Sequence, residues 1–243
     1  MAKPILFNLS NQLAPSLLEP ESCDLVFADP PFNIGYTYDV YKDKVPAKQY
    51  LDWCRQWISD ARNLLKHNGA LWLMIGHEFA AELKCIACHE FGFNLRNWVT
   101  WYYRFGVNCN SKFSRCSCPI LYLAKWEGVA PIFNRPDILV PSDRQTLYND
   151  SRAVEGGKTP SDVWEFPRVA GTHPERLGWH DCQLPAALVE RIVRTSSDPG
   201  GLVVDLFAGS GTTLDVCQRL GRQGIGFEIS ENYCKGIRER CNF

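Results

Sequence analysis

Residues 24–38 read DLVFADPPFNIGYTY, an apolar run that ends in a carboxylate, two prolines and an aromatic ring. Proline lacks the N–H that a sheet interior needs, so a strand through Leu25–Ala28 has to stop at Asp29. The rigid elbow Pro30-Pro31-Phe32 then holds an acid, two backbone carbonyls and a ring in one place. Two neighbouring acceptors suit an exocyclic amine on a heteroaromatic base. Such an amine is a poor nucleophile because its lone pair is delocalised into the ring. Accepting both of its hydrogens, one at Asp29 and one at the Pro30 carbonyl, favours the pyramidal form whose lone pair can attack. Phe32 offers a face on which the base stacks, worth ~1–3 kcal/mol per base. A base inside a duplex is out of reach, so the target is flipped out or single-stranded. Positioning and electrostatics suffice for this chemistry, and it requires no metal.

The second stretch with chemical content is LVVDLFAGSGTTLDVCQRLGRQGIGFE at 202–228. It reads as strand, turn with Gly209 and Gly211, helix, and a second strand ending in Glu228. Small residues let a backbone approach a ligand closely, and a helix N-terminus adds unpaired N–H groups and partial positive charge. Glu228 stands about 20 residues past the turn, where a carboxylate can hold both hydroxyls of a ribose. A dinucleotide fingerprint would carry a third glycine where this chain has Leu214. Asp205, at the strand end, repels a pyrophosphate and attracts a cation. S-adenosyl-L-methionine carries a sulfonium and an ammonium and no phosphate, so the acidic turn favours it over NAD.

These two stretches need a scaffold that brings them together. The chain has 243 residues, 45% apolar and 22% charged, ordinary for one large α/β domain. Short apolar runs at 5–7, 24–28, 70–76, 98–103, 119–124, 202–207 and 224–228 read as buried strands. Helical spacing predicts helices over 50–65, stopped by His67-Asn68-Gly69, and over 77–91, 185–196, 212–221 and 230–240. The alternation predicts a Rossmann-like α/β fold: a mostly parallel, seven-stranded sheet with helices on both faces. One domain is expected over 1–243, with a catalytic half at 1–103, a target-recognition insert at about 104–179 and a cofactor half at 180–243. The middle is irregular and mildly basic: residues 95–179 hold 11 Lys and Arg against 8 Asp and Glu, on a chain of net charge −1. Trp98, Trp101 and Tyr102 read as strand core rather than as a stacking platform.

No stretch approaches a membrane span, and the N-terminus MAKPILFNLSNQL reads as no export signal, so a cytoplasmic location is expected. Eleven cysteines without an export signal read as thiols rather than bridges. Cys85-x-x-Cys88-His89 matches a haem-attachment spacing but falls on an amphipathic helix. Cys109, Cys116 and Cys118 do not complete a zinc site at a usual spacing.

Asp29-Pro30-Pro31-Phe32 and DLFAGSGTT at 205–213 together resemble the S-adenosylmethionine-dependent DNA amino-methyltransferases of restriction–modification type. The catalytic motif comes before the cofactor motif, the order of the permuted β class. HDCQLP at 180–185 is similar to the family's H-P-x-Q-x-P stretch, with Asp181 in place of the first proline. FGVNCNSKFSRCSCPILYLAK is similar to its N-S-x-x-R region. The resemblance implies cofactor contacts from Asp205, Phe207, Ala208, Gly209, Ser210, Gly211, Thr212, Glu228, His180 and Gln183, with Asp29 beside them. It implies target contacts from Tyr36, Arg104, Asn108, Lys112 and Arg115. The implied partner is DNA, with a homodimer and a cognate restriction endonuclease as further partners and action at the nucleoid. Asp in the first motif position points to N6 of adenine over N4 of cytosine. An acidic residue the family often carries near its N-terminus is absent here, where Asn8 and Ser10 stand. From the residues alone, RNA or another amine remains an alternative substrate, and a dehydrogenase or a non-catalytic DNA-binding protein an alternative function.

Overall fold

The computed structural model of the chain describes residues 3–106 and 108–243. Eight strands appear among them: β1 (Ile5–Phe7), β2 (Cys23–Ala28), β3 (Leu65–Met74), β4 (Asn94–Tyr102), β5 (Ser117–Ala124), β6 (Val163–Glu165), β7 (Leu202–Asp205) and β8 (Gln223–Phe227). They form one sheet in the order β1-β8-β7-β2-β3-β5-β4-β6, in which β5 alone runs against the others. The helices are α1 (Ala14–Leu17), α2 (Ala47–Leu64), α3 (Ala80–Cys85), α4 (Asp143–Thr146), α5 (Ala186–Ser196), α6 (Thr212–Leu220) and α7 (Glu231–Cys241).

All six residues of β2 are buried, as expected of a strand covered on both faces. Its alternate side chains go to opposite cores. Val26 and Ala28 meet Tyr50, Cys54, Trp57 and Ile58 of α2, while Leu25 and Phe27 share a core with Leu188, Val189, Ile192 and Val193 of α5. In β3 the same period sends Leu71 and Leu73 to the first face and Ala70, Trp72 and Met74 to the second. Trp72 stacks on Tyr122 at 4.5 Å and donates its indole N–H to Ser196 Oγ at 2.9 Å, which satisfies its buried polar atom. Six of the eleven cysteines, at 23, 54, 118, 217, 234 and 241, are buried as small apolar fillers, and no disulfide forms among the described residues.

The path from β2 through α2 to β3 moves one way across the sheet, and the path from β7 through α6 to β8 moves the other. β2 and β7 are nonetheless hydrogen-bonded neighbours, with Phe27 opposite Asp205. A crevice at the carboxyl ends of two such strands is where open α/β sheets bind ligands.

Several expectations are corrected. The sheet has eight strands, not seven, because the three-residue β6 pairs with the β4 edge. The strand read at 119–124 spans Ser117–Ala124 as β5, an inner strand between β3 and β4. His67-Asn68-Gly69 is not the stop of the helix but part of the strand that follows it. α2 stops at Leu64, β3 starts at Leu65, and these residues form a bulge between the pairs Cys23–Leu65 and Leu25–Ala70. A Cβ on Gly69 would lie 3.0 Å from the Cys23 carbonyl, so the bulge needs glycine. The helix expected at 77–91 begins at Ala80 and widens to a π turn at Ile86–Glu90. Trp98 is 40% exposed rather than core, whereas Trp101 is buried. No helix of the described residues is long and apolar enough to cross a membrane.

Candidate active site

A cavity of about 630 Å³ lies at this crevice, and both motifs line it: Asp29 to Phe32 on one side, Phe207 to Ser210 with Thr212 and Glu228 on the other. The elbow is held from below. Tyr50 of α2 donates its hydroxyl to the Pro31 carbonyl at 2.7 Å. The Phe32 ring lies across Gly76, where a Cβ would come within 3.0 Å of it. Buried Asp43 gathers the backbone N–H groups of Asn33, Ile34 and Tyr36 at 2.7, 3.2 and 2.9 Å, which winds the chain tightly beyond the elbow. The same loop crosses to the other motif: Asp39 accepts from Ser230 Oγ and from Asn232 Nδ2 at the start of α7.

Among the described residues, neither the Asp29 carboxylate nor the Pro30 carbonyl receives a hydrogen bond, although both border the cavity. Burial raises the Asp29 carboxyl to about 8, with the neighbouring Asp205 charge adding to the effect. Asp205 itself is raised to about 6 by burial, held back by hydrogen bonds from Thr213 and from the Phe207 N–H. Burial lifts Glu228 to about 7, against backbone N–H bonds from Gly209 and Ser230 at 2.9 and 2.8 Å. Each Glu228 oxygen thus keeps acceptor capacity for a further donor.

The glycine turn depends on its glycines at two points. Gly209 has φ +50°, and a Cβ there would press to 3.0 Å from His180 Nε2. Gly211 has φ +74°, and a Cβ would lie 2.8 Å from Ile237 of α7. Arg240, also on α7, clamps the turn by donating to the Ser210 carbonyl at 3.0 Å and to Thr212 Oγ1 at 2.9 Å. The third glycine that the helix lacks is replaced from across the interface. Leu214 packs on Gly224 and Gly226 of β8, which leave room for it.

The residues fit S-adenosyl-L-methionine. Three carboxylates held partly protonated by burial present a site that gains from a cation and would repel a pyrophosphate. Two buried polar atoms on the wall lack partners, His180 Nδ1 and Asn11 Nδ2. Burial lowers His180 to about 4, so its imidazole is neutral near pH 7, and it packs edge-on to Tyr233 at 4.6 Å.

Other expected residues are placed differently. Gln183 borders the cavity and also braces the 175–177 turn, its amide donating to the Glu175 carbonyl at 2.7 Å and accepting the Leu177 N–H at 3.0 Å. Tyr36 lines the mouth and donates to Asp181 at 3.3 Å. Arg115 also lines it and pairs with Glu78 at 2.7 Å. Arg104 pairs with Glu165 at the root of the 104–116 hairpin, while Asn108 and Lys112 are exposed on it, away from the cavity wall. Asn8 is spent on the Glu228 and Ile229 carbonyls at 3.0 and 3.1 Å. Tyr38, which the sequence left open between lining the base pocket and packing, lines the cavity; sequence reading missed Asn11, Arg168 and Cys182, which also line it, and Arg240. It also missed Glu175, whose carboxylate accepts the Ala186 N–H at 2.8 Å and caps α5 in place of a side chain from Pro185. None sits in a local pattern that marks it; the signal is the tertiary contact itself.

Comparison with known proteins gives a consistent picture. The N6/N4 methyltransferase family described as DNA methylase matches residues 23–239. The type II methyltransferase M.HpaI of Haemophilus parainfluenzae is 34% identical over 223 residues, covering 92% of this chain and 69% of that protein. The DNA adenine methyltransferase YhdJ of Escherichia coli K12 is 34% identical over 227 residues, covering 90% of this chain and 76% of that protein. Among solved structures, the cytosine-N4-specific PvuII DNA methyltransferase superposes with a TM-score of 0.77 at 18% identity, covering 99% of this chain and 86% of the other. With its acid elbow and glycine turn on one cavity, the chain belongs to the N6/N4 DNA methylase family, the S-adenosylmethionine-dependent amino-methyltransferases of DNA.

Proposed function

We propose that this chain methylates N6 of adenine at a defined sequence in DNA, with Asp29 and the Pro30 carbonyl as the two acceptors for the amine. The observation that carries this reading is the pair of unclaimed acceptors beside the Phe32 ring, on the cavity that also holds the glycine turn. S-adenosyl-L-methionine supplies a methyl group on a sulfonium. Asp205, Glu228 and the Gly209–Thr212 turn hold the cofactor, with neutral His180 and Asn11 offering buried polar atoms to it. Phe32 stacks on the extruded base. Asp29, ionised when the cation is bound, accepts a hydrogen bond from one amine N–H and the Pro30 carbonyl accepts one from the other, which favours the pyramidal amine with its lone pair free to attack. The preference for adenine rests on Asp in the first motif position and on the name of YhdJ, a DNA adenine methyltransferase. DNA is the partner. A cognate restriction endonuclease and a homodimer enter with the type II relatives, and sedimentation of the chain tests the latter.

Sequencing of modified bases in DNA from cells expressing the chain tests the reading directly. N6-methyladenine in one fixed context is expected. N4-methylcytosine would overturn the choice of base, and unmodified DNA would overturn the activity.

A further inference from the structure

The hairpin at 104–116 joins β4 to β5 and carries an aromatic side chain that nothing in the fold explains. Phe113 is fully exposed, at 100%, and Phe105 is 65% exposed. Single exposed apolar residues are common on this surface, but Phe113 is the most exposed of them among the described residues and stands two residues from the cavity-lining Arg115, where a substrate has to pass. The charge of the hairpin says which. Residues 104–116 hold Arg104, Lys112 and Arg115 and no acidic residue. Arg104 and Arg115 are paired to carboxylates on other segments, whereas Lys112, next to Phe113, has no ion pair among the described residues. The hairpin is also continuous with the cavity, since Tyr103, Arg115, Ser117 and Cys118 line it. Two residues of chain span at most about 7 Å, so the Phe113 backbone lies within that distance of a cavity-lining residue.

We infer that Phe113 is a wedge for duplex DNA, entering the base stack where the target nucleotide leaves it, with Lys112 and Arg115 on the flanking phosphates. This rests on the proposed function and names the element that makes a duplex usable. Extruding a base leaves a gap of one base step, about 3.4 Å, and costs the stacking of both neighbours. An apolar wedge recovers part of that stacking, as architectural proteins do when they insert Phe or Leu between base steps. Phe105 lies nearer the root of the hairpin and serves as the comparison.

The test uses the full chain, unmethylated genomic DNA and labelled S-adenosyl-L-methionine. Phe113→Ala should lower methyl transfer to native duplex at least tenfold, with cofactor affinity and thermal midpoint unchanged. Phe113→Trp should stay within threefold of the parent, and Phe105→Ala should lose less than Phe113→Ala. Placing the target opposite an abasic site should recover most of the Phe113→Ala loss. Parent-like activity of Phe113→Ala on native duplex would overturn the wedge, as would Phe113→Trp failing equally. A parent chain that binds cofactor yet methylates no DNA would instead sink the proposed function.

Discussion

The glycine turn at 207–212 and the hairpin at 104–116 border the same cavity and are built in contrasting ways. In the turn, Glu228 holds the Gly209 N–H, Asp205 holds the Phe207 N–H, and Arg240 holds Ser210 and Thr212. Two positive φ angles and the contacts with His180 and Ile237 leave no slack. In the hairpin, the described side chains between Arg104 and Arg115 stand largely in solvent, anchored by two exposed ion pairs of little stabilising value. A ligand that is always the same small molecule rewards a preformed cradle. A polymer that must be searched, bent and opened rewards reach and charge, and order there can wait for the partner.

Damage to the acid at the junction of the two regions should have the largest effect. Asp29→Ala should cut methyl transfer on the order of 10³-fold while S-adenosyl-L-methionine still binds, read by labelled transfer and by calorimetry. Equal loss of both would mean that Asp29 serves the cradle and not the amine.

The cradle should break next. Gly211→Ala forces a side chain into φ +74° and against Ile237. It should cost about 2 kcal/mol or more in denaturant unfolding and weaken cofactor binding. An unchanged midpoint would show that the turn is looser than its contacts imply.

A pH series sharpens the electrostatic half of the comparison. Asp29, Asp205 and Glu228, raised to about 8, 6 and 7, bind more protons folded than unfolded. Their contribution to stability is therefore present in acid and lost as pH rises from about 4 to 8. His180, lowered to about 4, acts oppositely, favouring the fold above about 6.5 and losing that as pH falls. A bound cation favours the ionised carboxylates, so S-adenosyl-L-methionine should raise the thermal midpoint more at pH 8 than at pH 6. S-adenosylhomocysteine, without the sulfonium charge, should show a smaller difference between the two.

The smallest effect on the fold belongs to the hairpin. Lys112→Ala or Arg115→Ala should leave the thermal midpoint unchanged and lower the slope of log affinity for DNA against log salt by about 1. A falling midpoint would show that the hairpin is structural after all.

What was legible in the sequence follows the same division. Buried strands announce themselves because both faces are covered, so β2, β5 and β7 read as continuous apolar runs. The elbow and the glycine turn read because proline and glycine constrain the backbone locally. The three-residue β6 did not read: it buries only Trp164, and its ladder with β4 supplies the order. The bulge before Gly69 looked like a helix stop because glycine serves both, and only the nearby Cys23 carbonyl distinguishes them. The brace that Gln183 gives the irregular 175–177 turn did not read, because no periodicity reveals the course of that turn. Arg240 and Glu175 act across long stretches of chain, through contacts that spacing does not encode.

The pairing of Phe27 with Asp205 has a consequence for the birth of the enzyme. The acid and the cradle lie far apart along the polypeptide and become neighbours only when that ladder zips. Such distant closure is slow relative to local helix formation. A chain still on the ribosome, with β7 inside the exit tunnel, would carry its acid without a methyl donor to aim at, and so could not modify DNA until β7 had emerged and paired with β2.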